Sequence, residues 1–138
     1  TRGKGKCHPC EYVPPAEEPD EEYPFRLTTG RVGPHWHTGS MTRRSITLER
    51  EVSSAYIELN PEDAWKIGVR KNQMVQVSSR RGEISLRAEI SDIVPPGVVF
   101  IPFHFIEAPA NKLTISALDP ISKIPDFKVC AVKIEKVN

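Results

Sequence analysis

Apolar residues along this chain recur with a period of two in short runs, broken by polar turns that carry glycine or proline. Ile84, Leu86, Ala88 and Ile90 alternate with Glu83, Ser85, Arg87 and Glu89. That pattern predicts a strand with one buried and one solvated face, because successive side chains on a strand point to opposite sides. Met74–Ser79 alternates in the same way, with Val75 and Val77 on one face, and the Arg81–Gly82 turn joins the two runs. Phe25–Thr29, Tyr56–Leu59 and Val98–Ile101 are shorter apolar runs, the last entered through Pro95-Pro96-Gly97. Cys130, Val132 and Ile134 form the inward face of a final strand.

Only one stretch announces a helix. Asn60 supplies a capping side chain, Pro61 suits the first helical position, and Gly68 suits the position just past the end. Short strands with so little helix predict a small, mostly β barrel or sandwich. Two stretches fall outside the elements, 30–45 and 102–126. Irregular segments this long within a compact domain tend to carry function, so the site is expected there.

Composition then narrows the picture. Before Tyr23 the chain holds Pro9, Pro14, Pro15 and Pro19 among acidic residues from Glu11 to Glu22. Proline denies a ladder its donor and the acidic run cannot bury itself, so residues 1–22 are expected to be an extended linker from an upstream domain, with a folded domain over 23–138. Net charge is +1, which gives no long-range pull toward nucleic acid or an anionic membrane. No run approaches the about eighteen apolar residues of a membrane helix, so no direct membrane insertion is expected. The three cysteines, Cys7, Cys10 and Cys130, are too sparse for a disulfide scaffold, and a reducing, cytoplasmic setting is the simpler expectation.

The first long loop collects Thr28, Thr29, Arg31, His35, His37, Thr38, Ser40, Thr42, Arg43, Arg44 and Ser45 around Gly30, Gly33 and Gly39. Hydroxyls, guanidinium forks and glycine-exposed amides are the donors a phosphate needs, although a polar surface loop has the same composition. The turn Ser78-Ser79-Arg80-Arg81-Gly82 repeats that theme, and is also an ordinary hairpin connection. In the second loop Phe103 and Phe105 flank His104, followed by Asn111 and Thr114. Such a cluster could wall a flat heterocycle and read its edges, or could equally be a packed loop around a satisfied core histidine. Cys7-His8-Pro9-Cys10 has the spacing of half a zinc site that His35 and His37 could complete, but no second cysteine pair exists. A Gly39-Ser40 pair could mark a self-processing pyruvoyl decarboxylase. No nucleophile–base arrangement emerges by spacing, so no catalytic residue and no metal ligand is assigned.

Taken in order, YPFRLTTGR, HWHTGSMTRRS, AYIELNPEDAWKIGV, VSSRRGEISLRA and VPPGVVFIPFHF with ANKLT and LDPISKIPDFKVCAVKIEKV resemble the C-terminal domain of formate dehydrogenase catalytic (alpha) subunits, members of the DMSO reductase superfamily. The approach segment KCHPCEYVPPAEEPDEEYP shares the resemblance. It implies a double-psi β-barrel of about six strands with one or two short helices, binding molybdopterin guanine dinucleotide with molybdenum or tungsten. By similarity Thr29, Gly30 and Arg31 meet the phosphate or pterin region, His35 and His37 sit beside it, and Thr38, Gly39, Ser40 and Met41 continue the contact. Ser79 and Arg80 match a second contact turn; His104, Phe105, Asn111 and Thr114 match the pterin-facing loop; Phe127 and Lys128 match an aromatic–lysine pair. The resemblance also implies that the metal's cysteine or selenocysteine, the catalytic histidine and a 4Fe–4S cluster belong to upstream domains of the same subunit. Partner subunits carrying iron–sulfur clusters would then take the electrons from formate. The domain alone is expected to hold the cofactor and not to catalyse. A stand-alone subunit like that of formylmethanofuran dehydrogenase, the pyruvoyl enzyme, and a zinc- or protein-binding β-barrel module are the alternatives.

Overall fold

The computed structural model describes residues 3–137; Thr1 and Arg2 of the expected linker, and Asn138 of the expected domain, lie outside them. Six strands close into a barrel in the order β1-β5-β2-β4-β3-β6. They are β1 (Phe25–Gly30), β2 (Tyr56–Leu59), β3 (Met74–Ser79), β4 (Gly82–Ile90), β5 (Val98–Pro102) and β6 (Cys130–Lys136). β1 runs parallel to β5 and β2 parallel to β4, while the remaining contacts are antiparallel. Two parallel pairs interleaved in one closed six-strand barrel form the double-psi arrangement expected from the resemblance.

The alternating residues do what their period predicts. Leu27, Ile57, Leu59, Val75, Val77, Ala88, Val99, Ile101 and Val132 are fully buried and fill the barrel. Closure also removes the exposed strand edges that such short strands would otherwise present.

Two short helices flank the barrel, α1 (Ile46–Glu51) and α2 (Pro61–Ile67). In α2 the Asn60 side chain accepts from the Glu62 amide at 3.0 Å, and Gly68 ends the helix at φ 65°. Asn60 also donates to the Val94 carbonyl at 2.9 Å, and buried Asp63 accepts from the Gly97 amide at 2.6 Å. The helix start is therefore bound to the turn that launches β5. α1 carries no sequence signal of this kind: no side chain caps it and none of its residues is buried, so no apolar stripe betrays it.

Strand direction decides where the loops emerge. β1 and β5 are parallel, with Leu27 opposite Val99 and Gly30 opposite Pro102, so both long loops leave the same end of the barrel. β6 runs antiparallel to β1 with Cys130 opposite Leu27, which brings the residues before Cys130 to that end as well. β3 is antiparallel to β6, so its exit turn at Ser79–Gly82 also faces this rim.

Candidate functional site

At that rim lies an open cleft of about 740 Å³, lined by Arg31, His37, Thr38, Phe103, Asn111, Thr114, Pro125, Phe127 and Lys128. Its floor is stitched to β1. The Thr29 hydroxyl donates to the Phe127 carbonyl at 2.7 Å, and the Lys128 ammonium donates to the Thr29 carbonyl at 3.0 Å. The same ammonium lies 5.9 Å from the Phe103 ring centre and 5.5 Å from that of Phe127. Arg31 sits over the Trp36 ring at 5.3 Å and within 3.2 Å of His37 Nδ1.

No carboxylate lines this cleft, and among the described residues no acidic side chain pairs with Arg31 or Lys128. Two cations, an amide, hydroxyls and ring faces therefore converge without neutralisation. Chemically, this suits a flat heterocycle attached to an anion. A second hollow, of about 650 Å³, adjoins the first through Thr38 and Phe103 and is bordered by Gly39, Ser40, His104 and Phe105. Its arginine, Arg43, is already committed. It forks onto Glu49 and Glu107 at 3.0 and 2.7 Å and stacks on Phe105 at 4.9 Å, so both carboxyls lie below the usual range.

Several residues expected at the site stand behind it. His104 is 3% exposed. Its Nε2 accepts from the Val32 amide at 3.0 Å and its Nδ1 donates to the His37 carbonyl, an arrangement that only the neutral ring satisfies. Burial, opposed by that carbonyl contact, holds its pKa below the ordinary value, and His35, Arg31 and Arg43 push the same way. His104 thus bolts the first loop to the second. His35 is equally enclosed, with Nε2 donating to the Val52 carbonyl at 2.7 Å and Nδ1 meeting the Thr42 hydroxyl at 3.2 Å. With both nitrogens engaged, His35 is not available to complete a zinc site with Cys7 and Cys10.

Phe105, matched to the pterin-facing loop, is 1% exposed and belongs to the core; Phe103, two residues earlier, is the ring that faces the cleft. Gly30 owes its identity to packing, since a Cβ there would meet the Phe100 ring at 2.6 Å. Gly39 has φ +72° and its absent Cβ would lie 2.9 Å from Arg43, so both conformation and space require glycine. Met41 is exposed outside the lining of either hollow.

Ser79 and Arg80 turn away from the cleft. The buried Ser79 hydroxyl accepts from the Arg81 amide at 3.2 Å, while Arg80 pairs with Glu17 and Asp20 and lies 4.5 Å over the Tyr23 ring. Its neighbour Arg81 reaches instead to the loop that lines the cleft, donating to the Leu113 carbonyl beside Thr114 at 3.0 and 2.8 Å. Nothing in a doublet of arginines says which one points inward. Pro125 is a further lining residue the sequence did not flag. Cys130 is buried, and burial pushes its thiol up to about 11.

Fold and site define a small closed β-barrel with an open, cationic, ring-walled cleft at one rim, and the comparisons with known proteins give its family. Residues 25–131 match the family described as "Molydopterin dinucleotide binding domain", and the chain belongs to it. Over 135 residues it is 53% identical to the F420-dependent formate dehydrogenase subunit alpha of Methanocaldococcus jannaschii, and 50% identical to the F420-dependent formate dehydrogenase 1 subunit alpha of Methanococcus maripaludis. In each case the match takes in 98% of this chain and 20% of the relative, so the chain spans about a fifth of their length. Among solved structures, acetylene hydratase from Pelobacter acetylenicus superposes with a TM-score of 0.74 over 85% of this chain and 19% of its own; at 17% identity this shows a shared fold. No helix among the described residues is long and apolar enough to cross a membrane.

Proposed function

We propose that the cleft holds molybdopterin guanine dinucleotide within the alpha subunit of a formate dehydrogenase. The observation that carries this reading is the convergence of Arg31 and Lys128, without a carboxylate, on a cleft walled by Phe103 and Phe127. The guanidinium of Arg31 and the ammonium of Lys128 would meet phosphate oxygens, with the hydroxyls of Thr38 and Thr114 adding donors. The two phenylalanine rings would flank a flat ring, and the Asn111 amide can read its edge. When bound, the molybdenum or tungsten on the pterin supplies the two-electron chemistry that turns formate into carbon dioxide and a proton. The chain's own part is to bind and orient.

The metal's protein ligand, the catalytic histidine and a 4Fe–4S cluster then lie in other domains of a cytoplasmic subunit, and electron-transfer subunits lie beyond it. The alpha subunits of F420-dependent formate dehydrogenases named above support this assignment, since they are identical to this chain at about half of the 135 aligned positions.

Titration of the 138-residue chain with GDP, followed by amide chemical shifts, tests the cleft. Shifts gathered at Arg31–Thr38, Phe103, Asn111–Thr114 and Phe127–Lys128 are expected. Shifts that gather at Cys7–Cys10 or on the far end of the barrel refute the assignment.

A further inference from the structure

The family match begins at Phe25, yet the structural support of the cleft begins earlier in the chain. Glu17 lies in the proline-rich approach segment, and its side chain is only 10% exposed. One carboxylate oxygen accepts from the Ala131 amide of β6 at 2.9 Å and from Arg81 at 2.7 Å; the other accepts from Arg81 at 2.7 Å and Arg80 at 3.2 Å. Arg81 in turn donates from Nε and Nη2 to the Leu113 carbonyl, at 3.0 and 2.8 Å. Leu113 is fully buried between Asn111 and Thr114, which line the cleft and are joined by a hydrogen bond from the Thr114 hydroxyl to the Asn111 carbonyl at 3.2 Å.

We propose that Glu17 is a positioning residue for the cleft: through Arg81 it holds the Leu113 carbonyl, and so sets where Asn111 and Thr114 stand. A planar guanidinium can serve a carboxylate with one edge and a carbonyl with another at once, which an ammonium in the same place cannot do in fixed geometry. Without the carboxylate, Arg81 keeps its charge but loses the partner that fixes its rotamer, and the Leu113 carbonyl loses an oriented donor. The approach segment is thereby part of the site's framework. This inference rests on the reading of the cleft as a binding site only where ligand affinity is concerned; the strut itself can be tested without ligand.

Glu17→Ala, Glu17→Gln and, as control, Glu18→Ala are compared in the 138-residue chain. Glu18 is a fair control because it pairs with Arg26 on the exposed side. Amide exchange and chemical shifts are read first without ligand. Glu17→Ala is expected to shift Leu113 and Thr114 and to speed exchange of the Leu113 amide, bonded to the Ala110 carbonyl, about tenfold, while the Val75 and Val77 amides of the barrel keep their protection. Glu17→Gln, which keeps the shape and one acceptor, gives a smaller change at the same residues, and Glu18→Ala gives none there. GDP affinity then falls in the same order, by about tenfold for Glu17→Ala. Shifts confined to the neighbours of residue 17, 80 and 131, or an equal acceleration across the whole barrel, overturn the proposal. Should GDP fail to bind the unaltered chain, the cleft assignment falls, while the ligand-free arm still decides the strut.

Discussion

Replacing His104 by alanine separates a histidine that holds the two loops together from one that faces the cleft. The substitution removes both ties that the imidazole makes between the loops, leaving the Val32 amide and the His37 carbonyl without their partner. It also empties a space walled by the rings of Phe103, His35 and Phe105, whose centres lie 5.2, 5.5 and 5.9 Å from that of His104. An unmet donor costs about 1–3 kcal/mol when shielded from water, and the exposed His37 residue lets its carbonyl rehydrate, so most of that loss falls on the half-buried Val32 amide. A partly collapsible void adds about 1–2 kcal/mol. The expected total is about 2–5 kcal/mol, or a fall in Tm of about 7–17 °C for a chain of this size.

His37→Ala is the comparison. Its ring is exposed and lines the cleft, so stability should move by less than about 0.5 kcal/mol while GDP affinity drops. The assay is thermal melting at pH 7.5 and again at pH 5.5. The unfolded chain's imidazole takes up a proton near the ordinary value of 6.5, whereas the folded ring, with its lowered pKa, does so only further down. The stability His104 contributes is therefore complete above about pH 6.5 and is lost as the pH falls from there toward the folded value. The gap in Tm between the unaltered chain and His104→Ala should accordingly narrow at pH 5.5. A variant that melts within about 1 °C of the parent at pH 7.5 would refute the cross-link.

Three further outcomes follow from the same geometry. Arg31→Ala should weaken GDP binding by about 1–3 kcal/mol in calorimetry with Tm unchanged, because the guanidinium is exposed and, among the described residues, meets the His37 and Trp36 rings alone; unfolding with undiminished affinity per folded molecule would argue for a structural role instead. Asn60→Ala should cost about 1–3 kcal/mol in urea denaturation, since it deletes both the helix cap and the bond to Val94. In the native chain at pH 8 a maleimide should label the exposed Cys7 and Cys10 and spare Cys130 until denaturant is added, because the Cys130 thiol is buried and raised to about 11; mass spectrometry of the labelled chain counts the adducts.

Most of the scaffold could be read without coordinates because its signals are local. The alternation of Ile84, Leu86 and Ala88, the Asn60-Pro61 start and Gly68 stop of α2, and the turn at Pro95–Gly97 each depend on residues a few positions apart. The two long loops were equally visible as the place where function should sit. What no local pattern carries is which side of a loop faces inward. His37 faces the cleft and His35 the interior, Phe103 the cleft and Phe105 the core, and Arg81 rather than Arg80 reaches the wall. The partners that hold this rim lie far along the chain: Val32 lies 72 positions from His104, Leu113 lies 32 from Arg81, and Glu17 lies 64 from Arg81 and 114 from Ala131. A loop residue is buried when strand pairing brings something to cover it, and here the parallel union of β1 and β5 does so by delivering both loops to one rim. The resemblance carried by motifs in order along the chain is enough to name the cofactor's class; the closure of the barrel decides which side chains face the cleft and which stand in the wall behind it.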